Sequence, residues 1–168
     1  MPESAVQLLR GDTEKENPDG ATYLLLGDAE FAAGDYAGAR RGFDAALRMD
    51  PGDAVAARRS EICGKVLALD PTQAGVPSAE RFRRSRELLQ QILGELVLCA
   101  KAGAGNDDVV RAAQLALAAN RRPASYGDAA EANQATASQL WAERIKQCSA
   151  PPGADDAAAL VMGKPARR

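Results

Sequence analysis

The sequence of 168 residues contains no histidine. Within this chain, that absence excludes Ser-His-Asp and Cys-His catalysis, a zinc site with imidazole ligands and a histidine pH switch. Carboxylates are numerous, yet no pair of them stands out by its spacing, and no glycine-rich phosphate-binding motif follows a strand pattern. We therefore expect a protein that is not an enzyme and that carries no cofactor and no metal.

Aromatic residues are scarce, at 4% of the chain, although 46% of the residues are hydrophobic. Alanine and leucine dominate that share, which favours closely packed helices over a β-sandwich rich in aromatic and β-branched residues. No apolar run reaches the roughly 18 residues that a membrane span needs. The net charge of −2 argues against general attraction to nucleic acid. These features predict an all-α fold with no membrane span and no nucleic-acid partner.

The N-terminus does not resemble a signal peptide, because charged residues begin at Glu3. The default expectation is therefore a cytoplasmic protein. A periplasmic or exported protein is the alternative, if a signal once preceded Met1 and was removed.

Proline and glycine divide the chain into segments with helical periodicity, and no segment carries a convincing strand pattern. The predicted helices span residues 2–16, 21–33, 36–49, 53–69, 79–101, 107–120 and 128–148. The predicted N-caps of the last three helices are Ser78, Asn106 and Asp128. Residues 149–168 are rich in proline, glycine and alanine, and they are predicted to be disordered.

The segment 21–51 carries small and aromatic residues in an order that packing would impose. They are Tyr23, Leu26, Gly27, Gly34, Asp35, Tyr36, Ala39, Phe43, Ala46 and Pro51. With this spacing the segment resembles a tetratricopeptide repeat, a unit of about 34 residues made of two antiparallel helices. The one departure is Glu30, which stands where the family has an aromatic residue, with Phe31 next to it.

The resemblance implies a right-handed superhelix of antiparallel helix pairs, completed by a C-terminal segment of three helices. Residues 1–20 then hold part of a preceding repeat and its turn, and 21–71 hold the repeat and a degenerate following helix. Residues 77–148 form the C-terminal helical segment, and 149–168 form the tail. In the repeat, Gly27 and Ala39 are expected to let the two helices approach closely.

Proteins of this family are usually non-catalytic adaptors or scaffolds that bind a peptide or a helical segment of another protein. The groove is lined by the first helix of each repeat, which here places six residues on it: Leu24, Asp28, Phe31, Arg58, Ile62 and Lys65. Leu24 and Asp28 stand where some members carry a carboxylate clamp, so that clamp is absent.

Several alternatives stay open, among them an enzyme with an unrecognised site. Leu24 and Phe31 fit a core position as well as a contact surface, and the charged residues fit plain solvation. The whole chain also fits a structural helical-bundle subunit, whose groove is filled and which serves in complex assembly. The partner is an unidentified protein or peptide, and a second copy of this chain is a further candidate.

The three cysteines, Cys63, Cys99 and Cys148, form no CxxC pair, which argues against a zinc or thioredoxin-type site. They fit three reduced thiols in an apolar interior. Alternatively, if the last three predicted helices run up, down and up, the first and third end at the same pole. Cys99 and Cys148 would then meet in a disulfide, leaving Cys63 free and implying an oxidising compartment.

Overall fold

The computed structural model describes residues 2–13, 19–99, 107–119 and 123–164, and within these ranges the chain forms eight helices and no strand. The helices are α1 (Pro2–Thr13), α2 (Gly20–Ala32), α3 (Tyr36–Met49), α4 (Ala54–Leu69), α5 (Ser78–Cys99), α6 (Asp107–Ala119), α7 (Tyr126–Gln147) and α8 (Ala157–Met162). The all-α prediction is confirmed, and the seven predicted helices are all present. No helix in the described ranges is both long and apolar enough to cross a bilayer.

The chain divides into two compact units. The N-terminal unit comprises Met1–Leu67 with Gly163–Arg168, and the C-terminal unit comprises Ala68–Met162. Helices α1 to α3 and most of α4 therefore belong to the first unit, and α5 to α8 belong to the second.

In the N-terminal unit, α2 and α3 form a tight antiparallel pair. Gly34 ends α2 with φ of +76°, a conformation that glycine adopts without a Cβ clash. Asp35 then caps α3 by accepting a hydrogen bond from the backbone N–H of Gly38 at 3.0 Å. Two glycines lie at the crossing, where a Cβ on Gly42 would be 2.9 Å from the backbone nitrogen of Gly27. A Cβ on Gly27 would in turn be 2.7 Å from the ring of Phe43.

The small residues predicted to pack in this pair are in its core. Ala39 and Phe43 are fully buried, and Ala46 is 2% exposed. The two helices approach closely because Gly27 and Gly42 have no side chains at the crossing. The ring of Phe43 fills the space beside it.

The carboxylate at Glu30 replaces an aromatic residue of the resemblance, and α1 supplies its partner. Glu30 is 4% exposed, and its Oε1 accepts hydrogen bonds from Nη2 and Nε of Arg10 at 2.6 and 3.1 Å. A Cβ on Gly38 would be 2.8 Å from Oε2 of Glu30. A charge-assisted hydrogen bond therefore satisfies a carboxylate that would otherwise be costly to bury, and it links α1 to α2.

Helix α4 begins after Asp53, whose side chain accepts hydrogen bonds from the backbone N–H groups of Val55 and Ala56. Its buried side includes Ser60, which donates a hydrogen bond to Asp44 of α3. This hydrogen bond links α4 to α3.

The thiol of Cys63 on α4 is free and fully buried. Burial raises its pKa to about 11, because an apolar interior disfavours the thiolate.

We expect iodoacetamide at pH 8 to alkylate Cys63 in the native protein roughly 200-fold more slowly than in the unfolded chain, where the pKa is near 8.5. The raised pKa also predicts that this thiol's contribution to stability is lost as the pH rises from about 9 to 11. Timed alkylation with mass spectrometry tests the first expectation, and equal rates in both states would contradict it.

In the C-terminal unit, α5 and α7 run parallel and in register. Asn133 donates a hydrogen bond to the hydroxyl of Ser85 at 3.1 Å, and Arg144 donates one to Glu95 at 2.9 Å. These pairs lie 48 and 49 positions apart in the sequence. The difference in residue number between paired positions is thus nearly constant along α5 and α7. In an antiparallel pair this difference would change along the axis, so the two helices point the same way.

A disulfide joins Cys99 and Cys148 at the end of this parallel pair, with a Cα–Cα distance of 5.4 Å. The sequence separation is again 49, so the bond continues the register of the two polar contacts. The disulfide alternative is therefore confirmed, and the expectation of three reduced thiols is wrong for two of them.

Helix α6 connects α5 to α7, and Arg86 of α5 donates a hydrogen bond to the carbonyl of Leu117 at 2.9 Å. Two details of the prediction are wrong. Helix α7 is capped by Ser125, which accepts a hydrogen bond from the N–H of Asp128, so Asp128 lies inside the helix. Ser78 is likewise the first residue of α5. The predicted cap Asn106 lies outside the described residues.

The prediction of a disordered tail over residues 149–168 is wrong for its central part. Residues 157–162 form α8, which packs against α5 and buries Ala158 and Val161. Asp156 starts this helix by accepting hydrogen bonds from the backbone N–H groups of Ala158 and Ala159. An alanine-rich segment can thus be ordered when one apolar side finds a surface to cover.

Candidate functional site

The residues predicted to line a groove come from two neighbouring helices of the N-terminal unit. On α2, Asp28 is exposed, and Leu24 and Phe31 are half-buried. On α4, Arg58 and Lys65 are exposed. Five of the six predicted residues therefore reach the surface, at least in part.

Ile62 does not belong to this surface. Its side chain is only 4% exposed, so it is a core residue of the N-terminal unit and has almost no area to offer a partner. The repeat register placed Ile62 on the groove, but α4 buries this position.

Arg59 connects the two helices, and sequence reasoning did not identify it. Its guanidinium lies 3.9 Å from a carboxylate oxygen of Asp28 and 4.9 Å from the centre of the Phe31 ring. Phe31 also meets the edge of Tyr36, with ring centres 5.1 Å apart. One arginine thus bridges a carboxylate and an aromatic ring on α2 from its place on α4.

A sequence signal for this contact existed. Asp28 and Phe31 lie three positions apart on one side of α2, and that pairing suits an arginine on a neighbouring helix. The repeat register assigned Arg58 to the groove, one position before the arginine that makes the contact. We define the α2–α4 face as Leu24, Asp28, Phe31, Arg58, Arg59 and Lys65.

Charges on the α2–α4 face are mostly exposed and locally balanced. The ammonium of Lys65 lies 2.6 Å from Glu61 one turn earlier, and this hydrogen bond lowers the pKa of Glu61. The pair of Asp28 and Arg59 is longer, and both side chains are more than a third exposed. Exposed pairs of this kind add little stability, so a partner's polar groups can replace them at small cost.

The face offers cations, a carboxylate and the partly exposed ring of Phe31, which are groups suited to holding another polypeptide. In the described ranges, no group of three or more His, Cys, Asp and Glu residues is placed to hold a metal ion.

No protein-family model, curated protein or solved structure matches this chain.

Proposed function

We propose that this protein is a non-catalytic adaptor or scaffold, which holds a peptide or helical segment of a partner protein on the α2–α4 face. The observation that carries the proposal is Arg59, which joins Asp28 and Phe31 across two neighbouring helices. This contact links α2 to α4, the two helices that the repeat register would make the first helices of successive repeats. The tetratricopeptide-like superhelix is part of the proposal, supported by the tight α2–α3 pair that precedes α4.

A second candidate is a structural subunit without an open groove. It is favoured by one observation, the burial of Ile62 at a predicted groove position. In that case the N-terminal unit would serve in complex assembly, and the charges on the α2–α4 face would not contact a partner protein there.

The Cys99–Cys148 disulfide is relevant to the cellular compartment in which the protein works. Disulfides persist in oxidising environments and are rare in the cytosol. We therefore propose a periplasmic or exported location over the cytoplasmic default, supported by the Cys99–Cys148 bond.

Reversing two charges on the α2–α4 face should separate the two candidate functions. We expect the double variant Arg58→Glu with Lys65→Glu to recover at least fivefold less partner than the unchanged chain, with a melting temperature within about 2 °C. Exposed charges contribute little to stability, but they govern encounter and selectivity at an interface. The measurement is affinity recovery from the native source, quantified by mass spectrometry, beside calorimetry of each variant.

The matched control is Arg111→Glu with Lys146→Glu. These residues of the C-terminal unit are 73% and 68% exposed and undergo the same change of charge. Partner recovery should be unaffected in this control. If the variant of the α2–α4 face also recovers the partner at the original level, the structural subunit is the better reading.

A further inference from the structure

A second surface of the N-terminal unit lies away from the α2–α4 face. It is a groove of about 400 Å³ between α1, α2 and α3. Its floor includes Leu26 and Glu30 of α2, and three arginines line it: Arg10 of α1, and Arg41 and Arg48 of α3. We call this surface the arginine groove.

The arginine groove and the α2–α4 face use different sides of α2. The groove takes Tyr23, Leu26 and Glu30, whereas the face takes Leu24, Asp28 and Phe31. At 3.6 residues per turn, the mean directions of these two sets are roughly 130° apart around the axis. A ligand in the groove therefore does not compete for the residues of the face.

Of the three arginines in the arginine groove, only Arg10 has an ion-pair partner within the described ranges. Arg10 is paired, at 2.6 Å from Glu30 and 3.6 Å from Asp35. Arg41 and Arg48 are exposed, and neither has an ion-pair partner within the described part of the chain. By contrast, Arg83 of α5 has a carboxylate one turn away on each side. Two cations along one side of the groove are thus left for an external anion.

The spacing of these two cations limits the anion. Arg41 and Arg48 are seven residues apart on α3, which is about 10.5 Å along the helix axis. Two carboxylates seven residues apart on a second helix have the same spacing, so each of them can face one arginine. The α1 helix packs against α2 and forms one side of the groove.

We propose that the arginine groove binds an acidic helix of the partner protein, with carboxylates seven residues apart facing Arg41 and Arg48. This inference rests on the proposed adaptor function and names the chemistry of the partner. A nucleic acid is disfavoured, because the chain has a net charge of −2.

The test uses fluorescein-labelled alanine-rich helical peptides and the full chain, measured by fluorescence anisotropy at low and physiological salt. One peptide carries two glutamates seven residues apart, a second carries them four apart, and a third has glutamines in place of both. We expect the first peptide to bind at least fivefold more tightly than the second and tenfold more tightly than the third. The variant Arg41→Glu with Arg48→Glu should abolish that preference.

The matched control is Arg111→Glu with Lys146→Glu, which changes the net charge equally at exposed residues of the C-terminal unit. It should bind the first peptide within twofold of the unchanged chain. If the reversal of Arg41 and Arg48 unfolds the protein, the neutral variant Arg41→Gln with Arg48→Gln replaces it, with the same loss of preference expected.

Several results would overturn the inference. One is equal binding of all three peptides, and another is equal loss in both double variants. A labelled DNA duplex that binds more tightly than any peptide would indicate that the groove binds phosphate groups.

Concentration-dependent dimerisation that the Arg41 and Arg48 variant abolishes would assign the groove to a second copy of this chain. If a recovered partner is lost only from the Arg58 and Lys65 variant, the adaptor function stands and the acidic helix fails.

Discussion

Reducing the Cys99–Cys148 disulfide should lower the free energy of unfolding of the C-terminal unit by about 4 kcal/mol, from the loop-closure entropy of 49 residues. For a unit of this size, a loss of that magnitude corresponds to a melting temperature lower by roughly 15 °C or more. The disulfide stabilises the unit because it restricts the unfolded chain. This stabilisation adds to that from the core contacts which already hold α5 and α7 together. Calorimetry with and without a phosphine reductant measures it.

The control is the variant Cys99→Ser with Cys148→Ser, which should melt at the reduced protein's temperature and be insensitive to reductant. The remaining thiol, Cys63, is buried in the N-terminal unit and should make no reductant-dependent contribution. Non-reducing peptide mapping of protein from its native compartment should recover the cross-linked pair. Free alkylation of both thiols there would refute the bond in the native protein and with it the argument for an oxidising compartment.

An alanine at Gly42 should destabilise the N-terminal unit by about 1–2 kcal/mol. The added Cβ would lie 2.9 and 3.0 Å from backbone atoms of Gly27 and 3.1 Å from the carbonyl of Tyr23. Backbone atoms cannot rotate away as a side chain can, so α2 and α3 must separate, at a cost of roughly 1–3 kcal/mol. The higher helix propensity of alanine offsets up to about 1 kcal/mol of this destabilisation. Chemical denaturation monitored by circular dichroism gives the difference.

Gly64 provides a matched control on α4 of the same unit. Its added Cβ would lie 3.5 Å from the flexible guanidinium of Arg40, which is ordinary contact. The same substitution there should therefore stabilise by up to about 1 kcal/mol, through helix propensity alone. If both alanine variants shift stability in the same direction and by the same amount, the two glycines at the α2–α3 crossing do not set the distance between these helices.

Much of the fold could be predicted because its signals are local. Gly34 and Asp35 end one helix and start the next, and the chemistry of such breakers does not depend on distant residues. The disulfide between Cys99 and Cys148 was one of two open expectations for the cysteines, and it followed if the three last predicted helices alternate in direction. That expectation needed only the order of the helices and their lengths.

The remaining features depend on contacts between distant residues, which a single sequence does not specify. Gly42 looks like any helical glycine until the backbone at Gly27 is known to lie against it. Arg59 and Arg58 are equivalent in sequence, and only the rotation of α4 decides which of them meets Phe31. The helix α8 was missed for a similar reason, because its alanines are unremarkable until α5 provides a surface.

The parallel arrangement of α5 and α7 has a mechanical consequence once their ends are joined. A pulling force applied along the chain passes directly from Cys99 to Cys148 through the disulfide, so the intervening residues, including α6 and all of α7, carry none of it. Those residues represent roughly 160 Å of extended chain that tension cannot release while the bond is intact. The C-terminal unit is in this sense a covalently shortened link, whose extensibility under load is set by the redox conditions around it.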